Sequence, residues 1–205
     1  MRGLAAFGTV AAVFWFVIFS PWTAGLMNFW AQMMLATGLL AGSAVYLNQE
    51  QYARIFRFRI MQAVLGVLSA AVLYGIFYLG NWFGTAILDF ASSQVANIYA
   101  SKAQAPPALI ATVLVVWIGP AEEIFWRGYI QKRFADRWGS WKGYILASLI
   151  YALVHIWAFN FMLIIAALVA GLFWGLLFVR TGSLWPGIIS HALWDVAIFI
   201  LWPIQ

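Results

Sequence analysis

The chain has 205 residues, of which 65% are hydrophobic and only 8% are charged, and its mean hydropathy is +0.92. Soluble domains carry roughly 25% charged residues, so this composition excludes a soluble globular protein and indicates an integral membrane protein. The absence of cysteine excludes disulfides, thiolate metal sites and a cysteine nucleophile, and the net charge of +5 clusters in loops, unlike that of a nucleic-acid-binding surface.

Seven apolar segments recur along the chain, each close to the ~20 residues that a transmembrane helix needs. They cover residues 3–20, 24–47, 60–80, 107–130, 143–158, 161–179 and 186–202. The segment 81–106 between the third and fourth of them holds "AQAPP" and is predicted to be an outer loop with a short interfacial helix. We therefore predict an all-α, polytopic transmembrane helix bundle of about seven spans.

The basic residues predict how this bundle is oriented. When the seven spans alternate, one side holds nine basic residues, whereas the loops of the other side hold only Lys102. The nine are Arg2, Arg54, Arg57, Arg59, Lys132, Arg133, Arg137, Lys142 and Arg180. Because cytoplasmic loops carry the excess of Lys and Arg, the N-terminus is predicted to be cytoplasmic and the C-terminus outside. The small size and short loops favour a prokaryotic inner membrane.

Two of the six acidic residues lie side by side in the fourth span, in the stretch "GPAEEIFWRGYI". A charge at the bilayer centre costs ~2.5–3.5 kcal/mol on insertion scales, so such residues need a reason. Glu123 and Arg127 are four residues apart with the glutamate first, which is the favourable order for an ion pair. Glu122 points roughly 100° away on the helix and is left free for chemistry. Pro120 removes a backbone donor and predicts a kink or a restart of the helix.

Both histidines also lie in predicted spans. His155 follows Tyr151 by one turn in "YALVHIW" on the fifth span, and His191 precedes Asp195 by one turn in "SHALWDV" on the seventh. Counting ~1.5 Å per residue from the cytoplasmic ends puts Glu122 at ~13 Å, His155 at ~18 Å and His191 at ~8 Å. We therefore expect these three side chains to meet in one layer of the cytoplasmic half of the membrane.

A carboxylate with two imidazoles can activate water, bind a metal ion or relay protons. No serine or lysine is paired with a base by an evident motif, so a covalent nucleophile is not indicated. Water activation needs a base, a means of positioning the water, and donors for the developing oxyanion. A zinc site with two histidines, one carboxylate and an open position is the metal alternative, although no spacing resembles HExxH.

Three stretches on three spans carry a resemblance to a known family. In order and spacing, "EEIFWR", "YALVH" and "HALWD" resemble the EExxxR, FxxxH and HxxxN/D motifs of the CAAX protease and bacteriocin-processing family (CPBP, or Abi) of intramembrane proteases. This family includes the type II CAAX prenyl endopeptidases. The similarity covers residues 107–202. It implies a four-helix catalytic core in residues 107–205, preceded by N-terminal transmembrane helices and an outer loop in residues 1–106.

The resemblance implies an intramembrane endopeptidase whose active site faces the cytoplasm. The implied catalytic residues are Glu122, His155, His191 and Asp195, with Glu123 and Arg127 as structural support. Glu122 is then the general base and shares a water with His155, while His191 and Asp195 face the scissile carbonyl as the oxyanion site. The implied substrate is a peptide or protein, membrane-anchored or not, processed in a CAAX-type or peptide-maturation reaction. No cofactor is expected, and zinc is the alternative.

Two residues depart from the family pattern. Tyr151 stands where the family often has Phe, and it adds a hydroxyl that can hydrogen-bond nearby. Asp195 stands where prenyl endopeptidases have Asn, and an ionised carboxylate cannot donate to an oxyanion. We expect Asp195 either to be protonated or to orient His191 from one turn away.

Two other functions stay open at this point. A non-catalytic membrane scaffold, immunity protein or peptide-maturation partner would keep the family architecture without cleaving a bond. A proton-coupled transporter would use the same acids and histidines as a relay, but the discontinuous-helix signal near Pro120 occurs once and not in two matching halves. In all three cases the lipid bilayer surrounds the protein, and no nucleic acid is expected to bind.

Overall fold

The computed structural model describes residues 2–204 of the chain. Within this range the chain forms nine continuous helices of at least seven residues and no strand. They are α1 Arg2–Phe19, α2 Phe29–Leu47, α3 Gln49–Ile55, α4 Ile60–Ile87, α5 Ala91–Tyr99, α6 Pro107–Trp138, α7 Ser140–Ala158, α8 Phe161–Thr181 and α9 Trp185–Leu201. The predicted all-α fold is confirmed.

Each of the seven predicted spans corresponds to one helix. Of the described helices, five are long and apolar enough to cross a membrane, namely α2, α4, α6, α7 and α8. The apolar parts of α1 and α9, Gly3–Phe19 and Trp185–Leu201, are shorter than 18 residues. The predicted span 107–130 was too short, because α6 continues to Trp138. The loop 81–106 contains the predicted short helix, which is α5.

Local sequence signals fix where these helices begin and end. The Asn28 side chain caps α2 by accepting hydrogen bonds from two backbone N–H groups of its first turn, and Asn160 caps α8 in the same way with one. Pro107 occupies the first turn of α6, where its missing N–H costs nothing. Gly139 (φ +86°) and Gly182 (φ +63°) adopt positive φ values where α6 and α8 end.

α6 passes through Pro120 without restarting. Two π-helical segments, Leu114–Ile118 and Trp126–Gln131, flank the α-helical segment Gly119–Phe125 that carries the paired glutamates. π-helical segments inside α-helices are frequent at functional sites. The predicted irregularity is therefore present, but it is spread over both sides of the acidic pair and is not a break at the proline.

The helix termini meet at two opposite ends of the bundle. At one end, which we term the α5 end, the Asn28 side chain donates to the Gln104 carbonyl at 2.8 Å. At the other, the basic end, the Trp185 indole donates to the Phe56 carbonyl at 2.7 Å. The helix termini and loops of the basic end carry Arg54, Arg57, Arg59, Lys132, Arg133, Arg137, Lys142 and Arg180. Lys102 lies at the α5 end.

The N-terminal helices pack directly on α6 to α9, the four helices of the predicted catalytic core. Gly66 of α4 lies so close to α9 that an added Cβ would be 2.6 Å from Ile189 Cβ. Gly38 of α2 lies against Trp117 of α6, whose indole donates to the Met34 carbonyl at 2.9 Å. Side chains of α2 and α4 can therefore reach the site that the motifs build.

Candidate active site

Glu123, Arg127 and His191 form a buried ion-pair cluster between α6 and α9. Arg127 Nη1 donates to Glu123 Oε1 at 2.9 Å, as the spacing of four residues predicts. His191 Nδ1 lies 3.0 Å from the same oxygen. Because a carboxylate only accepts hydrogen bonds, this contact places a proton on Nδ1 of His191. Arg127 Nη2 also donates to the Gly171 carbonyl of α8 at 3.3 Å, so the cluster ties three helices together.

Gly187 makes room for this cluster on α9. A Cβ added at Gly187 would lie 2.6 Å from Glu123 Oε2. We expect Gly187→Ala to displace Glu123, to destabilise the protein by about 1–3 kcal/mol as overpacking does, and to lower any activity of the site. Gly75→Ala on α4 is the matched control, because nothing lies within 4 Å of its added Cβ. Thermal unfolding of both variants in the same detergent tests this, and equal stability of the two would contradict it.

Trp174 lies against one face of the His191 ring, and Asp195 lies beside its Nε2 edge. The Trp174 indole stacks on the imidazole with ring centroids 3.7 Å apart and planes 17° apart. Its N–H donates to Ser190 Oγ at 3.1 Å, which fixes the indole. Asp195 Oδ2 lies 3.6 Å from His191 Nε2, within ion-pair range but too long for a hydrogen bond. Whether Asp195 is protonated or orients His191 stays a prediction.

Glu122 has one engaged and one available carboxylate oxygen. Tyr151 Oη donates to Glu122 Oε2 at 2.8 Å, so the hydroxyl that distinguishes this chain from the family pattern does hydrogen-bond nearby. No hydrogen bond from any described residue reaches Oε1 of Glu122. The sequence left this carboxylate without a partner, and that prediction holds for one of its two oxygens.

Both ring nitrogens of His155 are engaged. Nδ1 lies 2.8 Å from the Tyr151 carbonyl, which can only accept, so Nδ1 is the donor. Nε2 accepts a hydrogen bond from the indole N–H of Trp15 at 3.1 Å. The expected water between Glu122 and His155 could bind Nε2 only by displacing this indole N–H.

Trp15 and Trp174 are site residues that the motifs missed. Trp15 is fully buried on α1, 140 residues from its partner His155. One signal was available, because Trp15 lies five residues inside the end of a predicted span, deeper than the interface where tryptophans act as anchors. A buried indole N–H needs a hydrogen-bond partner. The sequence alone could not say which polar group that partner is.

A cavity of about 300 Å³ brings the implied catalytic residues together. Its walls include Glu122, Tyr151, His155, His191 and Asp195, whereas Glu123 and Arg127 lie behind the wall. The remaining lining is mostly apolar and comes from α2, α4, α5, α6, α8 and α9. The predicted convergence of one carboxylate and two imidazoles on a single pocket therefore agrees with the geometry.

The imidazole nitrogens offer few free lone pairs for a zinc ion. Catalytic zinc takes three protein ligands, each with a free lone pair directed at the metal. Among the described residues, no group of three or more His, Asp or Glu side chains is arranged to hold a metal ion. The nitrogens of His155 are both engaged, and His191 Nδ1 is held by Glu123.

A comparison with known families agrees with the motifs. Residues 104–197, slightly less than half of the chain, match the family model described as type II CAAX prenyl endopeptidase Rce1-like. The matched range contains all six predicted site residues and begins after α5. No curated protein and no solved structure matches the chain. The apolar helices indicate a membrane protein, and the match shows that residues 104–197 resemble a family of proteases, which act on peptides or proteins. The resemblance to the CPBP family of intramembrane proteases is thereby confirmed, and residues 104–197 form an Rce1-like region.

Proposed function

We propose that this protein is an intramembrane endopeptidase in which Glu122 activates a water for attack on a peptide bond. One observation carries the proposal. Glu122, with one oxygen held by the Tyr151 hydroxyl and the other unbonded, lines the same cavity as His191, whose imidazole is fixed from behind by Glu123. A positioned base and a positioned donor are the two groups that hydrolysis by water requires.

The proposed reaction uses these groups in sequence. Glu122 Oε1 removes a proton from a cavity water as the water oxygen bonds to the carbonyl carbon of the substrate. When both ring nitrogens of His191 carry protons, Nε2–H donates to the oxyanion that forms. The carbon–nitrogen bond then breaks, and Glu122 returns its proton to the leaving nitrogen, giving a carboxylic acid and an amine.

His155 and Asp195 have orienting roles in this proposal. His155 holds the Tyr151 carbonyl and forms part of the cavity wall, and it would share the water with Glu122 only if the Trp15 indole moved away. Asp195, 3.6 Å from His191 Nε2, orients the imidazole toward the cavity. The donor arrangement also supports a glutamate-dependent reaction without a metal ion, because both nitrogens of His155 and Nδ1 of His191 are engaged by protein groups.

We expect Asp195→Asn to retain cleavage and Asp195→Ala to lose most of it. Asn keeps a polar side chain of the same shape beside His191 Nε2, whereas Ala leaves the ring without this contact. The loss in Asp195→Ala should approach the roughly 10²-fold effect of removing an oxyanion donor. Initial cleavage rates of the two variants, compared at equal amounts of folded protein, test this. An equal loss in both would mean that the negative charge itself is needed.

The proposed orientation follows the charges. With the N-terminus in the cytoplasm of a prokaryotic cell and the protein in its inner membrane, the eight basic residues of the basic end face the cytoplasm, as the positive-inside rule requires. Residues 107–205 would act as the catalytic core and residues 1–106 as the supporting helices and outer loop.

The deciding experiment is cleavage by purified protein in liposomes without an ion gradient. A farnesylated CAAX peptide and an unmodified peptide library are the probes, and a metal chelator is added in one arm. Chelator-resistant cleavage that requires Glu122 supports the proposal over a proton-coupled transporter. Restoration of a chelated sample by zinc would instead indicate a metalloenzyme. A Glu122→Gln protein with a normal membrane level and an unchanged cellular effect would favour the scaffold or immunity function.

A further inference from the structure

The cavity that contains Glu122 extends toward one end of the bundle only. Its lining includes Asn81 near the end of α4, Tyr99 at the end of α5 and Met162 at the start of α8, all at the α5 end. None of its described lining residues comes from α3 or from the loops of the basic end. Glu122 and His191 lie at the opposite, inner limit of this lining.

Packed side chains close the path from the site to the basic end. Tyr52 of α3 is 3% exposed, and its hydroxyl donates to the Ile124 carbonyl of α6 at 2.8 Å. A Cβ on Gly128 would lie 2.7 Å from the Tyr52 ring and 3.3 Å from Leu184, so no gap remains between these elements. Trp126, 1% exposed, fills the core beside them. A peptide could reach Glu122 from this end only if α3 moved.

The depth of Glu122 in the bundle and the direction in which its cavity opens are separate properties. Glu122 precedes Gly128 by six residues, or ~9 Å along the helix, so the carboxylate lies close to the packed side chains that close the path to the basic end. Glu122 is also near the midpoint of α6, because this helix continues eight residues past the predicted span, so a site in the cytoplasmic half stays a prediction. The cavity nevertheless opens away from the basic residues, which differs from the expectation of an active site that faces the cytoplasm.

We infer that substrates reach Glu122 from the non-cytoplasmic side of the membrane, through the opening at the α5 end. The closed end carries eight basic residues and the open end carries Lys102, so the charge rule puts the opening outside. The substrate class is a peptide segment already delivered to the outer leaflet or the outer aqueous phase. A C-terminal CAAX segment that stays in the cytoplasm does not meet this condition. That the segment is cleaved rests on the proposed hydrolysis, whereas the access route does not depend on it.

The chemistry of the walls narrows this class to segments with apolar side chains. Aromatic and aliphatic side chains line the route from the mouth to the site, including Trp30, Phe77, Ile98, Val169 and Phe199. Ile76 of α4 and Ile165 of α8 line the cavity and are also 40% and 39% exposed on the outer surface. The wall between α4 and α8 is therefore shared with the lipid-facing surface, so a membrane-anchored segment can approach from the outer leaflet.

Substituted cysteines test the access route directly, because the chain has no native cysteine. Val169→Cys on α8 reports the cavity, and Leu172→Cys on the same helix is the matched control, since it is half-buried but does not line the cavity. Asp136→Cys reports the basic end, where its side chain is half exposed. The probe is a small, charged, membrane-impermeant methanethiosulfonate added to intact cells.

We expect Val169→Cys to react from outside at least roughly tenfold faster than Leu172→Cys, because the reagent needs a hydrated, ionised thiol. Asp136→Cys should react only after the cells are permeabilised. Reaction of Asp136→Cys in intact cells would mean the opposite orientation and would overturn the inference. So would Val169→Cys that reacts only after permeabilisation, or no faster than Leu172→Cys.

The same labelling in a Glu122→Gln background separates this inference from the proposed hydrolysis. The access pattern should be unchanged there, because it depends on helix packing and not on the base. Cleavage by the Glu122→Gln protein would contradict the proposed mechanism but would not affect the access route. Loss of the access pattern in an enzyme that still cleaves would contradict the access route but not the proposed mechanism.

Discussion

Replacing Glu122 by Gln is expected to lower kcat/KM for peptide cleavage by about 10²–10⁴-fold, the contribution of a positioned general base. The amide cannot take a proton from water at Oε1, where no described residue competes for the carboxylate. The loss should appear mainly in kcat, because the apolar cavity walls that hold the substrate are unchanged. Steady-state cleavage by protein reconstituted in liposomes measures it.

The substitution should leave the fold intact. The side-chain oxygen of Gln can still accept the Tyr151 hydroxyl, which donates to Glu122 at 2.8 Å in the native protein. Glu50→Gln is the control, since it makes the same chemical change at an exposed carboxylate in the first turn of α3. Activity of Glu122→Gln within about threefold of Glu50→Gln, well under the range for a lost base, would rule out Glu122 as the base.

Features of this site that depend on one helix could be predicted from the sequence. The Glu123–Arg127 ion pair follows from a spacing of four residues on α6, and the turn that separates His191 from Asp195 follows in the same way. Depth along a span is also a local quantity, so the convergence of Glu122 with the two histidines could be predicted. These predictions needed only the rise and the angular spacing of an α-helix.

Features that depend on packing between distant helices could not be predicted. Nothing near His155 indicates that the Trp15 indole occupies its Nε2, because the two residues meet only when α1 packs on α7. The direction of the cavity depends on Tyr52, whose helix α3 was not predicted and whose ring closes the basic end against Gly128. The charge pattern predicts which side is cytoplasmic, but it carries no information about which end of the bundle is open.

Arg127→Met is expected to destabilise the protein by about 3–5 kcal/mol, the effect of removing one partner from a buried ion pair. Methionine fills a similar volume but leaves the buried Glu123 carboxylate with His191 as its partner and frees the carbonyls of α8 that Arg127 contacts. Arg137→Met is the control, because Arg137 is exposed at the basic end and surface substitutions stay within about ±0.5 kcal/mol.

A double-mutant cycle assigns this loss to the pair. Glu123→Gln combined with Arg127→Met removes the uncompensated charge, so the double variant should be more stable than Arg127→Met alone, with a coupling energy of about 0.5–3 kcal/mol. Unfolding in mixed micelles measures all four proteins. Simple additivity would mean that Arg127 stabilises the site through its contacts with α8 and the rings of Tyr151 and Trp174, and then Glu123 would hold His191 without depending on its neighbour one turn away.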